Sequence, residues 1–272
     1  MSTTRKVILV LSDGMNYAAA VSGMGFFMHL VEQKRASLYK VAGELPTLSR
    51  PMYETIHTGT IVLEHGIYSN RTVRRSKMPN IFQLAVDAGR KTAAAAYYWF
   101  SDLYNRAGYH RIDDREVDDP SLLIQHGRFY TRDDYPDLEL FDTAAMLVRK
   151  FDPDYLLAHS SGMDYMGETY GSDTPQYRNT AARQDALLQE LVPEWLERGY
   201  HVLLTGDHGV NADGIHGGTT ADVRFVPLFL VGNGLPGKGD TGETVSMLQI
   251  APTICRLMDL PIPPTMKAPP LV

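Results

Sequence analysis

The sequence predicts an α/β protein built on a mostly parallel central sheet with helices on both faces. Short aliphatic runs recur at 7–11, 154–159, 202–204 and 226–231, and runs of this kind form strands buried on both sides. Stretches with helical apolar spacing lie between them, at 17–36, in the first part of 79–98, at 141–151 and at 176–198. Several strands stop in Asp, His and Gly, the residue types that build sites at the carboxyl edge of an open α/β sheet.

Length and composition set the bounds. The chain has 272 residues, enough for one large α/β domain spanning 1–272, and no repeat, low-complexity run or linker divides it. Hydrophobic residues make up 44% and charged residues 21%, which is ordinary for a globular protein. A net charge of −6 disfavours duplex nucleic acid as the partner, since that task needs a basic surface. Cys255 is the only cysteine, which excludes a disulfide framework and a cysteine metal cluster. The run at 7–11 is too short for a signal peptide, and no stretch is long enough to cross a bilayer, so a cytoplasmic location without membrane contact is expected.

Taken in order, 7–11 is the central strand, and it ends in Ser12-Asp13-Gly14. Asp13 fits either a ligand position or a helix cap. Residues 17–36 read as one helix whose Met24, Phe27 and Met28 are core packing. Pro51 fits the first turn of the next helix, which puts Ser49 at its N-cap. Serine is a favoured cap, but a nucleophile placed there also gains from the helix N-terminus. Arg50 beside it is suited to neutralising a phosphoryl oxygen. Residues 79–98 read as a helix, a turn at Gly89 and a strand.

The stretch 99–136 has little periodicity and is rich in Tyr, Asp and Arg. It reads either as a small lid-like insertion, in which Trp99, Tyr104 and Tyr130 would select the substrate, or as a plain surface excursion. After the strand at 154–159, Asp164 and Glu168 stand four residues apart, so on a helix both carboxylates face one way. That arrangement is costly unless a cation joins them. Residues 176–198 form an amphipathic helix with Ala182, Leu187, Leu188 and Leu191 turned inward, and 246–259 form the last helix. The most informative stretch is 201–218. A buried strand ends at Thr205-Gly206, Asp207 and His208 project from its end, and His216 follows in a glycine-rich loop.

These pieces together resemble the alkaline phosphatase superfamily, and most closely its type I phosphodiesterase/nucleotide pyrophosphatase branch. The matching stretches are 7–15, 45–67, 162–171, 203–218, 226–232 and 249–257, collinear over the whole chain. The resemblance implies two divalent metal ions on one sheet edge. Asp13, Ser49, Asp207 and His208 would hold one, and Asp164, Glu168 and His216 the other. It also implies that Ser49 is the nucleophile, forming a phosphoserine intermediate that water hydrolyses. Metal coordination is one way to activate a serine hydroxyl, and paired cations stabilise the attacking and leaving oxygens. The substrate implied is a small phosphate ester or a nucleotide.

Three positions depart from the family pattern. Glu168 stands where histidine is common, Ser49 where the nucleotide pyrophosphatase branch has threonine, and Met52 opposite an asparagine that assists the phosphoryl group. Zinc is the commonest family metal, but a carboxylate at 168 makes the site richer in oxygen and favours manganese, iron or magnesium more. Phosphomonoesterase and phosphonate hydrolase activities are the alternatives within the superfamily. A sulfatase is disfavoured, because no Cys-x-Pro-x-Arg pattern is present. A non-catalytic metal-binding protein is the alternative outside it.

Overall fold

The computed structural model describes residues 5–272. The chain runs β1 (Lys6–Ser12), α1 (Tyr17–Gly23), α2 (Gly25–Glu32), β2 (Ala36–Ala42), α3 (Ser49–Thr58), α4 (Val62–His65) and α5 (Ile81–Asp87). It continues through β3 (Thr92–Tyr97), a π-helical turn (Ser101–Asn105), β4 (Glu116–Asp118), β5 (His126–Tyr130), α6 (Asp137–Phe151), β6 (Tyr155–Ser160) and α7 (Gly162–Tyr170). Then come α8 (Pro175–Glu197), β7 (Tyr200–Thr205), α9 (Ala221–Arg224), β8 (Phe225–Gly232), β9 (Gly239–Ser246) and α10 (Ile250–Leu257). Among the described residues no helix is long and apolar enough to cross a membrane.

Among the described residues all nine strands join one sheet, in the order β4-β5-β3-β6-β1-β7-β8-β2-β9. The pairs around β1 are parallel, while β8 runs antiparallel to both β7 and β2. Side chains of β1 alternate between the two faces, as a strand requires. Val7, Leu9 and Leu11 pack with Met52, Ile56, Phe82 and Ile254 from α3, α5 and α10. Ile8 and Val10 pack with Phe27, Phe141, Leu188 and Trp195 from α2, α6 and α8. Because both faces are covered, the central strands read as unbroken aliphatic runs rather than alternating ones.

Several expectations are corrected. The single helix at 17–36 is two helices that share Met24 as a cap, and its last residue already belongs to β2. The segment 99–136 is not an irregular loop: β5 pairs in parallel with β3, and Phe100, Leu103, Tyr104, Ile124 and Phe129 are buried in the core. The inner stripe of α8 is Tyr177, Ala181, Gln184, Leu188, Val192 and Trp195, whereas Ala182 is exposed. Its buried Gln184 was invisible to an apolar pattern because it packs by hydrogen bonding, to Ser12 and Ser160.

Candidate metal and phosphoester site

β6, β1 and β7 are neighbours and parallel, with Ser12 opposite Ser160 and Leu11 opposite Thr205. Their carboxyl ends therefore open at one level, and the next residues of each become neighbours. Asp13 follows β1, Asp164 lies in the first turn of α7 after β6, and Asp207 and His208 follow β7. The Asp13 N–H donates to the Ser160 carbonyl at 2.8 Å, and the Gly14 N–H donates to Asp207 Oδ1 at 3.1 Å. Gly14 has φ +75°, and a Cβ there would lie 2.5 Å from the Asp164 Cα. Only glycine lets the first loop pass that close to α7.

The fourth element is α3, all ten of whose residues are buried. Ser49 is its first helical residue, and the N-cap is Leu48, one position earlier than the cap expected from Pro51. Thr55, His57 and Thr58 are satisfied by His65, by Tyr53 and Tyr155, and by the Glu54 carbonyl and Thr60, so a polar helix tolerates full burial.

Seven predicted residues converge here. Ser49 Oγ is 3.1 Å from His208 Nε2, and that nitrogen is 3.4 Å from Asp13 Oδ1 and 3.3 Å from Asp207 Oδ2. The His208 and His216 rings stack with centroids 4.1 Å apart. His216 Nε2 lies 3.1 Å from Glu168 Oε1 and 3.9 Å from Asp164 Oδ1. Ligand atoms of Asp13, Asp207 and His208 form one compact group, and those of Asp164, His208 and His216 a second. Glu168 borders the second group with its side chain half exposed.

The chemistry of these atoms fits divalent cations. Asp13 Oδ1, Asp164 Oδ1 and Asp207 Oδ2 are buried without a hydrogen-bond partner. Each imidazole faces a carbonyl through Nδ1, His208 that of Gly209 at 3.1 Å and His216 that of Thr47 at 3.2 Å. A carbonyl only accepts, so in the neutral ring the proton sits on Nδ1 and Nε2 presents a lone pair. Lone pairs then face carboxylate oxygens, an arrangement that repels unless a cation lies between.

Protonation follows the same logic. Burial, and then the Asp13 charge, push Asp207 well above the usual carboxylate range. Burial and the charges of Asp13, Glu168 and Asp207 do the same to Asp164. Burial also opposes ionisation of Asp13, but the His159 hydrogen bond and the His208 charge prevail and lower it to about 2. Burial and the neighbouring His216 lower His208 to about 4, which keeps it neutral.

Two residues that sequence reasoning missed hold Asp13. The Tyr53 hydroxyl donates to Asp13 Oδ2, and His159 Nε2 is 3.3 Å from the same oxygen, which leaves Oδ1 free. Tyr53 lies one helical turn after Ser49, and His159 is the next-to-last residue of β6; those positions are the only sequence signal for either.

Arg50 is not brought into the site. Its guanidinium is buried, 3.2 Å from Asp102, donates to the Thr72 carbonyl, and stacks over Trp99 at 4.6 Å. Met52 is equally buried, in the core. An asparagine lines the site all the same: Asn70, whose Oδ1 accepts the Arg50 backbone N–H at 3.0 Å. Of the aromatics expected to select substrate, Trp99 lines the cavity, whereas Tyr104 is buried against Glu54 and Tyr130 against His159 and Ser161. The cavity has a volume of about 150 Å³ and is lined by Asp13, Ser49, Tyr53, Asn70, Tyr97, Trp99, Asp133, Ser161, Asp164, Glu168 and His216.

Residues 7–213 match the family model for type I phosphodiesterase / nucleotide pyrophosphatase. The human GPI ethanolamine phosphate transferase 3 catalytic subunit is 24% identical over 86% of this chain, which spans only 21% of that protein's length. An inactive form of murine ectonucleotide pyrophosphatase / phosphodiesterase 5, solved with AMP, superposes with a TM-score of 0.75 at 13% identity and covers 96% of each chain. The phosphonate monoester hydrolase of Silicibacter pomeroyi gives 0.64 at 13% identity, over 98% of this chain and 76% of the other. At such identities the structural likeness speaks to fold alone.

Proposed function

The chain belongs to the type I phosphodiesterase / nucleotide pyrophosphatase family of the alkaline phosphatase superfamily, and from that premise we propose a phosphodiesterase that works through Ser49 beside two divalent cations. The observation that carries the reading is the position of Ser49 Oγ, 3.1 Å from Nε2 of His208, the residue that both three-ligand groups share. Asp13, Ser49, Asp207 and His208 would hold one ion, and Asp164, Glu168 and His216 the other. When bound, such ions supply Lewis-acid stabilisation of charge on the reacting oxygens.

The remaining work falls to the chain itself. Without an ion, His208, neutral by burial, accepts the Ser49 hydroxyl hydrogen bond at Nε2 and aims Oγ into the cavity; with an ion bound, that lone pair would serve the ion. Tyr53 and His159 fix the rotamer of Asp13. Oγ attacks phosphorus, one ester alcohol leaves with the Ser49 proton, and the phosphoryl group, still carrying its second ester, rests on Ser49. Water then takes it up and regenerates the hydroxyl. Asn70 is placed to donate its amide to a phosphoryl oxygen, the task first assigned to Arg50.

An alcohol in place of water would make the same site a transferase. The likeness to the ethanolamine phosphate transferases favours that second reading. Both are tested by incubating metal-reconstituted protein with bis-nitrophenyl phosphate, with and without added alcohols, and mapping phosphate by mass spectrometry. A nitrophenyl-phosphoryl adduct on the Ser49 peptide is expected, along with nitrophenol and nitrophenyl phosphate in water and mixed diesters with alcohol. Turnover that persists in Ser49→Ala would overturn both readings.

A further inference from the structure

Building on the two-ion reading above, we infer that Gln184 and Asp137 are positioning residues, which hold the Asp13 and Asp164 ligand groups in register through a buried hydrogen-bond network behind the site. Ser12 immediately precedes Asp13, and Ser160 ends β6 just before α7, which carries Asp164 and Glu168. The two serines stand opposite each other in the parallel pair of β1 and β6. Gln184 of α8 spans them. Its Oε1 accepts the Ser12 hydroxyl at 2.7 Å, and its Nε2 donates to Ser160 Oγ at 2.8 Å and to Asp137 Oδ2 at 2.9 Å. Ser160 donates its own hydroxyl to Asp137 Oδ1. The Gly162 N–H, at the start of α7, donates to the same carboxylate.

Two features separate this network from ordinary packing. The first is its place. Ser12, Ser160 and Gln184 are buried, and neither they nor Asp137 line the catalytic cavity, so none touches an ion or substrate there. Asp13 Oδ1 and Asp164 Oδ1 lack partners on the cavity side, whereas every side-chain atom of the network has one. Ala181 and Leu188 flank Gln184 on the buried face of α8, and an apolar side chain between them would avoid the cost of burying an amide. The second feature is direction. Each hydrogen bond runs from Ser12 toward Asp137, an order that admits one arrangement where apolar contacts would slide. Gly14 limits how closely the β1 loop meets α7, and the network stops the two from drifting apart. His208 belongs to both ligand groups, so a shift of α7 against β1 takes one group out of its reach.

Calorimetric titration of the metal-free protein with manganese or zinc tests the inference without relying on turnover. The wild type should take up two ions, the one at Asp164 being identified by its loss in Asp164→Asn. Gln184→Met keeps the length of the side chain and removes its bonds. It should weaken the Asp164 ion about tenfold or more and leave the other within about threefold, and Asp137→Ala should do the same. Leu188→Ala, one turn along α8, is the control: it lowers the melting temperature without touching the network and should leave the ratio of the two affinities unchanged. If Gln184→Met and Asp137→Ala do not fold, Ser12→Ala removes a single arm of the network and carries the same expectation. An unchanged ratio in the network variants, or an equal change in Leu188→Ala, overturns the inference. A wild type that binds fewer than two ions is a different failure, that of the two-ion reading, and overturns the inference with it.

Discussion

Glu168 Oε1 and His216 Nε2 lie 3.1 Å apart across the mouth of the second ligand group. The carboxylate borders the ligand group with its side chain half exposed, and the proposed site counts it as a ligand. In the proposed set of Asp164, Glu168 and His216, one imidazole and two carboxylates would make the second site rich in oxygen donors, which favours manganese or iron more than a two-histidine set does. Glu168→His should remove a negative charge and move the activating metal toward zinc. Metal analysis and activity after reconstitution with each ion check this. An unchanged metal preference, with unchanged affinity, would mean that Glu168 only orients His216.

Ser49→Ala should lower turnover on the order of a thousandfold or more, because the covalent step disappears. The fold should survive, since Ser49 makes one hydrogen bond through its side chain and α3 keeps its cap at Leu48. Circular dichroism and melting, run beside the kinetic assay, separate the two effects. A variant that melts normally and turns over at wild-type rate would sink the nucleophile assignment.

The site was legible in sequence where chemistry follows a strand end. Asp13, Asp207 and His208 each come a few residues after an aliphatic run, so their position could be read from local pattern alone. Arg50 and Tyr53 were not legible in this way. Which way a side chain leaves a fully buried helix depends on tertiary partners, here Asp102 for Arg50 and Asp13 for Tyr53. β2 and β9 escaped for a related reason. β9 is Gly-Asp-Thr-Gly-Glu-Thr-Val-Ser, an exposed edge strand with no apolar pattern, held by pairing with β2. In 99–136, the core role of Phe100 and Ile124 is set by a parallel pairing between β3 and β5 that local composition does not encode.

Arg50→Lys should damage stability before chemistry. The guanidinium satisfies Asp102, whose other oxygen accepts the N–H groups of Gly108 and Tyr109, each at 2.9 Å. Breaking a buried pair of this kind costs on the order of 3–5 kcal/mol, and a lysine cannot make the planar contacts to Asp102, Thr72 and Trp99 together. Thermal melting should show a clear loss. An unchanged melting temperature combined with a large fall in kcat would instead place Arg50 on the phosphoryl group.

Glu54 should make stability depend on pH. It is buried between Ser76 and Tyr104, and burial raises it from 4.5 to about 7 against those two hydrogen bonds and the Arg74 charge. Between these values the folded chain keeps a proton that the unfolded chain releases. Its contribution is therefore fully present below about pH 4.5 and is lost as pH rises through 7, a change of about 3 kcal/mol at most. Glu54→Gln should flatten this part of the profile and melt higher than wild type at alkaline pH. Denaturant titrations across the window check it, and parallel curves for the two proteins would refute it.

Metal removal gives the broadest test, because it rests on atoms rather than on a family. Asp13 Oδ1, Asp164 Oδ1 and Asp207 Oδ2 are buried and unpartnered, and like charges crowd them. Without a cation these oxygens repel one another in a poorly solvated space, so the metal-free chain is destabilised at the carboxyl edge of β6, β1 and β7. A divalent ion that binds only the folded state adds RT ln(1 + [L]/Kd), about 2.7 kcal/mol at a hundredfold excess over Kd. Melting temperature should fall on chelation and rise again with manganese or zinc. Asp207→Asn should do two opposite things: melt higher than wild type in chelator, because a carboxyl whose ionisation burial and Asp13 oppose is gone, and gain less from added metal, because a ligand is gone. Chelation that leaves the wild-type melt unmoved, or an Asp207→Asn variant that responds to metal as the wild type does, would remove the basis for a two-ion site.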